Sequence, residues 1–292
     1  MIAIENKEIF EFKSSLSSLI EINNIKTIKL NDISIMKKIG EGGQSTVYLG
    51  KYNSEDVAVK ILKQIEYISL MKEIVLLSNI THPLILKIYG IIDEDKTFGI
   101  VTQFIHGRNL SSIHITDISH QHKIKIVKDI ADILRYLHIN NFIHRDLKPD
   151  NLIINDKWKV HLIDFGIATI CLNKQNSVEI NKGTLNYLAP ECFQIAGIND
   201  KEEALVKITT KVDIWSFGCL VSYLFSGIVP WENQCKNGID IRTNLINRKP
   251  FPIPHNLEQH KLIYNIISKC TAIDINERAS IFELMDYIIQ LE

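Results

Sequence analysis

Long hydrophobic runs are missing from this chain of 292 residues. The most apolar stretch, Phe217 to Trp231, is broken by Gly218, Ser222, Ser226 and Gly227. It is shorter than a bilayer needs and reads as a buried core helix, so no membrane span is expected. An excess of one charge is missing too. The 33 Lys and Arg offset 34 Asp and Glu, a formal net charge of -1, which gives no electrostatic reason to expect a nucleic-acid partner. Cysteines are few, five in all, and none forms a C-x-x-C pair. That pattern speaks against a zinc site or a disulfide framework and fits a reducing compartment, so a cytoplasmic location is expected. Met1-Ile2-Ala3-Ile4 lacks a basic start and is interrupted by Glu5, so no signal peptide is expected there. No internal repeat or low-complexity tract is present.

What remains is ordinary globular material, 46% hydrophobic and 23% charged. The length supports a large buried core and is somewhat long for one domain. Three strands are predicted at Ile33–Met36, Thr46–Leu49 and Asp56–Lys60. A helix follows from Gln64 to about Ser78, with Ile65, Ile68, Met71, Val75 and Leu76 on its apolar side. Leu86–Tyr89 and Phe98–Val101 read as two more strands around the polar turn Asp93–Lys96. After Gly107 the period changes to helical, most clearly over Ile124–His138 and Asp213–Phe225. Five strands followed by helices predict a small sheet-rich lobe and a larger helical one, with the boundary near Gln103–Gly107. Residues 1–30 stand outside this pattern. Ile9, Phe12, Leu16 and Leu19 have helix-like spacing, and an extension packed on the small lobe is the plain reading.

The chemistry concentrates in a few runs. His144-Arg145-Asp146-Leu147-Lys148-Pro149-Asp150-Asn151 places a carboxylate, an ammonium and an amide on one short loop. Asp164-Phe165-Gly166 follows. Upstream lie Gly40-Glu41-Gly42-Gly43-Gln44-Ser45-Thr46-Val47 and a Val-Ala-Val-Lys run ending at Lys60. A glycine-rich turn alone is weak evidence, since a hairpin turn looks the same. An isolated His-Arg-Asp is ordinarily a surface turn. All of these runs together, in this order, are the parts that phosphoryl transfer from ATP needs: a group for the hydroxyl proton, cations over the phosphates, and metal-holding side chains.

The set resembles the eukaryotic protein kinase domain, of the Ser/Thr type, over roughly residues 31–292. The tyrosine-kinase-like group is an open placement within that type. The resemblance implies an α+β bilobal protein kinase fold: a five-stranded antiparallel sheet with one helix over about 31–103, and a larger, mostly helical lobe over about 104–292. It implies that Asp146 is the catalytic base or orients the substrate hydroxyl, and that Lys148 neutralises the transferring phosphoryl group. Asn151 and Asp164 would hold Mg²⁺ through hard oxygen ligands. Lys60 would reach the α- and β-phosphates of ATP and needs a carboxylate to orient it. Glu73 is favoured by the pattern around it, and Glu66 is the alternative. The adenine would lie between Val47, Ala58 and Ile153, with backbone hydrogen bonds from Gln103 and Ile105 and with Thr102 as gatekeeper; Ile39, Gly40 and Gly42 would also bind the ATP, the glycines by letting backbone N–H groups approach its phosphates. Leu77, Ile88, His144 and Phe165 match an apolar column for which core packing is most of the explanation. Gly183-Thr184 through Ala189-Pro190-Glu191 resembles the end of an activation segment. Thr184 would join the Asp146 and Lys148 cluster, Glu191 would pair with Arg278, and Asp213 would brace the catalytic loop. The stretch from Cys192 to Val212 is longer than usual in the family, and Asn199–Glu203 is expected as an exposed insertion. The expected function is transfer of the ATP γ-phosphate to protein Ser or Thr in intracellular signalling. A pseudokinase would show a lesion at Lys60, Asp146, Asn151 or Asp164, and none is present. A small-molecule kinase would lack Ala189-Pro190-Glu191.

Overall fold

A computed structural model describes residues 20–21, 24–43, 45–63, 67–94, 97–171, 176–179, 183–193 and 205–292. The helix-like stretch around Ile9 to Leu19, Gln44, Glu66 and the Asn199–Glu203 insertion lie outside them. The contacts divide the chain into two units, Met1–Ile105 and His106–Glu292.

The first unit is built on five antiparallel strands: β1 (Ser34–Glu41), β2 (Ser45–Tyr52), β3 (Glu55–Leu62), β4 (Ile88–Glu94) and β5 (Thr97–Gln103), in the order β1-β2-β3-β5-β4. One helix, α1 (Tyr67–Asn79), joins β3 to β4. β1 is longer than its apolar pattern predicts, because pairing with β2 and not burial sets its length. Its residues are exposed apart from the half-buried Gly40. The strand expected at Leu86–Tyr89 begins instead at Ile88 and runs to Glu94. Its apolar run is Ile91-Ile92, and the polar end is carried along by pairing with Phe98 and Thr97. On α1, Ile74, Leu76 and Leu77 are buried, whereas Val75 is half-buried, so the helix turns a slightly different face to the sheet than its spacing predicts.

The sheet buries both faces. Directly opposed residues in a ladder share a face. Val47 opposes Lys60, Lys60 opposes Ile100 and Ala58 opposes Thr102, so these five stand on one side. On that side Ile74 of α1 packs with Ile91, Phe98 and Ile100. On the other, Val57, Val59, Ile92 and Val101 pack with Ile33. Burying an aliphatic side chain of this size contributes roughly 1.5–3 kcal/mol.

The second unit begins with the short strand β6 (Arg108–Asn109) and the long helix α2 (His120–Ile139), capped by the Ser119 side chain accepting from the His122 N–H. The strands β7 (Phe142–Ile143), β8 (Leu152–Ile154), β9 (Val160–Leu162) and β10 (Thr169–Ile170) form two small sheets, β6-β8-β9 and β7-β10. β11 (Asn176–Glu179) pairs antiparallel with β12 (Leu205–Ile208), which the alternation of the sequence did not reveal. Then come α3 (Lys211–Ser226), α4 (Gly238–Ile246), α5 (Lys261–Cys270) and α6 (Ile281–Ile289). Phe217–Trp231 is indeed core: Phe217, Leu220 and Leu224 are fully buried on α3, and Trp231 is 2% exposed beyond its end. Among the described residues no helix is long and apolar enough to cross a membrane.

Candidate active site

In the first unit β3 presents Lys60 toward α1. Its ammonium donates to both Glu73 oxygens, at 2.8 and 2.7 Å. Glu73 is 7% exposed, and a carboxylate so placed needs a cation. Glu73, the favoured of the two sequence candidates, is thus the residue seen on Lys60; Glu66 lies outside the described residues. Beside this pair, Val47, Ala58 and Thr102 are half-buried on the same face of the sheet. Ile39 is 41% exposed on β1. The turn between β1 and β2 is closed by the Gly42 N–H donating to the Ser45 carbonyl at 2.9 Å. A Cβ at Gly43 would meet nothing within 4 Å, so the backbone there is bare, as close approach of a phosphate requires. The Gln103 N–H is committed to the Lys87 carbonyl at 2.8 Å, so Gln103 offers a nucleotide its carbonyl. Ile105 ends the unit, buried.

In the second unit the loop after β7 gathers the charged residues. Asp146 stands at its centre. Thr184 donates to Asp146 Oδ1 twice, from its N–H at 3.0 Å and its hydroxyl at 2.8 Å. Lys148 Nζ lies 2.6 Å from Asp146 Oδ2 and donates to Thr184 Oγ1 at 2.7 Å. The Asn151 amide donates to Asp146 Oδ2 at 3.0 Å and to its carbonyl at 2.8 Å. Burial pushes the Asp146 carboxyl up, but Lys148 and Thr184 more than offset it and leave the group below the ordinary carboxylate value. Asp146 is thus an ionised acceptor with fixed geometry.

Three supports hold this loop. Asp213, fully buried in the first turn of α3, accepts from the backbone N–H of His144 at 2.9 Å and of Arg145 at 2.8 Å. His138 Nε2 lies 3.0 Å from the same carboxylate. Burial would raise the Asp213 carboxyl; His138 and the backbone donors bring it below its usual value. Arg145 takes φ 71°, a left-handed conformation that a long side chain adopts only where its surroundings enforce it. The Asp146 N–H donates to His144 Nδ1, so His144 Nε2 carries the proton given to the Asp164 carbonyl. The His144 ring also meets Phe165 edge-on at 5.1 Å.

The end of the activation segment is anchored as the sequence predicts. Arg278, fully buried, donates to both Glu191 oxygens at 2.6 and 3.0 Å and lies 5.1 Å over the Trp215 ring. Gly183 has φ +119°, and a Cβ there would press on the Arg145 carbonyl at 3.0 Å, so the approach of Thr184 to Asp146 depends on that glycine. Ile153 stands half-buried on β8.

His138 was legible only as an apolar-face residue of α2, because its partner is 75 positions away. A histidine on the buried side of an amphipathic helix was the available signal.

The donor set suits Mg²⁺. Asn151 spends its N–H groups on Asp146, leaving an amide oxygen that could serve as a ligand, and Asp164 could add a carboxylate, fixed by the Gly166 N–H at 3.0 Å. Two hard oxygen ligands from the protein, with phosphate and water completing the shell, is how Mg²⁺ is commonly held. In the second unit a fixed carboxylate, a lysine beside it and two hard oxygen donors are arrangements suited to phosphate chemistry.

Comparison with known proteins agrees. Residues 33–288 match the protein kinase domain, and the chain belongs to that family. Members of this family use ATP with Mg²⁺ and act on proteins. A probable serine/threonine-protein kinase of Dictyostelium discoideum is 31% identical over 93% of this chain and 63% of its own length. A second from the same organism is 28% identical over 96% of this chain and 30% of its own length. The serine/threonine/tyrosine-protein kinase HT1 of Arabidopsis thaliana is 26% identical over 93% of this chain and 73% of its length. The chain thus spans less than two thirds of the two Dictyostelium relatives.

Proposed function

We propose that the protein transfers the γ-phosphate of ATP to Ser and Thr hydroxyls of protein substrates, in cytoplasmic signalling. One observation carries this reading: the Asp146 carboxylate is held by Lys148, Thr184 and Asn151 at once. The substrate hydroxyl would donate to Asp146, which orients it and takes its proton as the bond to phosphorus forms. Lys148, placed beside Asp146, would meet the charge on the transferring group. Asn151 and Asp164 would hold Mg²⁺, which when bound neutralises the phosphate oxygens. Lys60, fixed by Glu73, would hold the α- and β-phosphates. Positioning and electrostatics do most of the work in this reaction. Lys148 and Thr184 are the residues of the Ser/Thr type, and the tyrosine-kinase-like group is the proposed placement within it. The relatives' names support the Ser/Thr preference. The test is incubation of the purified chain with Mg²⁺, labelled ATP and a generic protein substrate, followed by phosphoamino-acid analysis. Phosphoserine and phosphothreonine are expected; label only on tyrosine, or none on protein, would contradict the proposal.

A further inference from the structure

The stretch just before the family match is built into the first unit. Asn24, at φ 51°, donates its N–H to the Glu21 carbonyl at 3.2 Å, and the Ile25 N–H donates to the Ile20 carbonyl at 2.9 Å. This pair of bonds, with a left-handed residue between, is a way of ending a helix, and it turns Ile25 inward. The chain then runs along the outer edge of β4. The Ile91 N–H donates to the Lys26 carbonyl at 2.9 Å, and the Ile28 N–H donates to the Ile91 carbonyl at 2.8 Å. β4 is the last strand of the sheet, so the segment covers an edge that would otherwise present bare donors and acceptors. Gly90 makes the approach possible: a Cβ there would run into the Lys26 carbonyl and come within 2.8 Å of Ile28.

The two isoleucines go to opposite faces. Ile28, 1% exposed, joins the cluster with Val57, Val59 and Val101. Ile25 joins the cluster with Ile74, Ile91, Phe98 and Ile100, and Ile20 packs against the same group. Ile74 is 1% exposed and directly follows Glu73 on α1. The seat of the helix that supplies the Lys60 partner is therefore completed by a residue from outside the matched domain.

We infer that the stretch 24–32 is a positioning element for the kinase reaction: Ile25 wedges α1 so that Glu73 stays on Lys60. The inference rests on the proposed phosphotransfer. A packed core responds to a missing side chain by shifting its neighbours, and α1 carries the ion pair one residue away. Ile25→Ala in the full chain is expected to lower kcat about fivefold to tenfold, the low end of the usual span of such coupling, with Ile25→Val restoring most of it. In a Glu73→Gln background, Ile25→Ala should change the residual kcat by less than about twofold, because the pair it positions is already gone. A purely structural residue would lower the melting temperature without this dependence on Glu73. Where Ile25→Ala does not fold, Gly90→Ala, which pushes Lys26 from the other side, carries the same two expectations. A kcat within about twofold of wild type in the folded variant, or an equal loss in both backgrounds, overturns the inference. Wild-type chain that phosphorylates no protein overturns the kinase reading instead.

Discussion

Thr184 binds Asp146 twice, through its N–H and through its hydroxyl, and the same hydroxyl oxygen receives a hydrogen bond from Lys148. The threonine ties the stretch that begins at Gly183 to the loop around Asp146. Thr184→Val keeps the size and the N–H but loses both hydroxyl bonds. A hydrogen bond to a charged group is worth about 1.5–3 kcal/mol, so kcat should fall on the order of tenfold to a hundredfold. Thr184→Ser should recover most of the rate. Equal kcat for all three proteins would show that the hydroxyl is idle.

Arg278 and Glu191 form a buried, two-pronged pair. Arg278→Met leaves the Glu191 carboxylate without its cation and should cost about 3–5 kcal/mol of folding stability, read from urea denaturation. Adding Glu191→Leu should return a good part of that loss, since no charge is then stranded. A single variant as stable as wild type would contradict the pairing.

Acid should act through Asp213. Its folded pKa lies below the ordinary carboxylate value. A lowered folded pKa means that the group adds stability above its unfolded pKa, about 3.9, and loses it as pH falls through the folded value. Stability measured by chemical denaturation should therefore drop below about pH 4. Asp213→Asn should be less stable at neutral pH and show a shallower acid decline. An identical pH dependence for the two proteins would rule Asp213 out as a source of acid sensitivity.

Ser177, a hydroxyl in the stretch between Asp164 and Glu191 where a regulatory phosphate would be sought, lies opposite Lys207 in the β11–β12 pair, so that stretch has a backbone partner of its own. Ser177→Ala should lower the initial rate by less than about tenfold, a modest switch compared with an obligatory one. Successive N–H groups of a strand point alternately to its partner, so one of Val206→Pro and Lys207→Pro must remove a ladder bond and should cost more than Ser177→Ala. Complete loss of activity from Ser177→Ala, with phosphate found there by mass spectrometry in wild type, would overturn this ordering.

Much of the site was legible because its parts come in fixed local runs. Lys60, Asp146, Lys148, Asn151 and Asp164 are each marked by neighbours in sequence, and the pairing of Glu191 with Arg278 followed from the same resemblance. Glu73 was favoured over Glu66 by the pattern around it, and the contact with Lys60 agrees. His138 beside Asp213, β12 beside β11 and Ile25 beside Ile74 were not legible. Each is a contact between distant stretches, and nothing in the local period of either partner announces the other. Strand limits shifted for a related reason: ladders extend β1 and β4 past the apolar alternation that marks them.

The central claim is that Asp146 works as an ionised, positioned carboxylate in phosphate transfer from ATP. Asp146→Asn keeps the shape and removes the charge. The direct measurement is the initial rate of protein phosphorylation by wild type and Asp146→Asn at saturating Mg-ATP, alongside nucleotide affinity. The account predicts turnover by wild type, a fall on the order of 10²–10⁴ in the variant, and nucleotide affinity changed by no more than a few-fold. A variant as active as wild type, or a wild-type chain that binds no nucleotide, would contradict it.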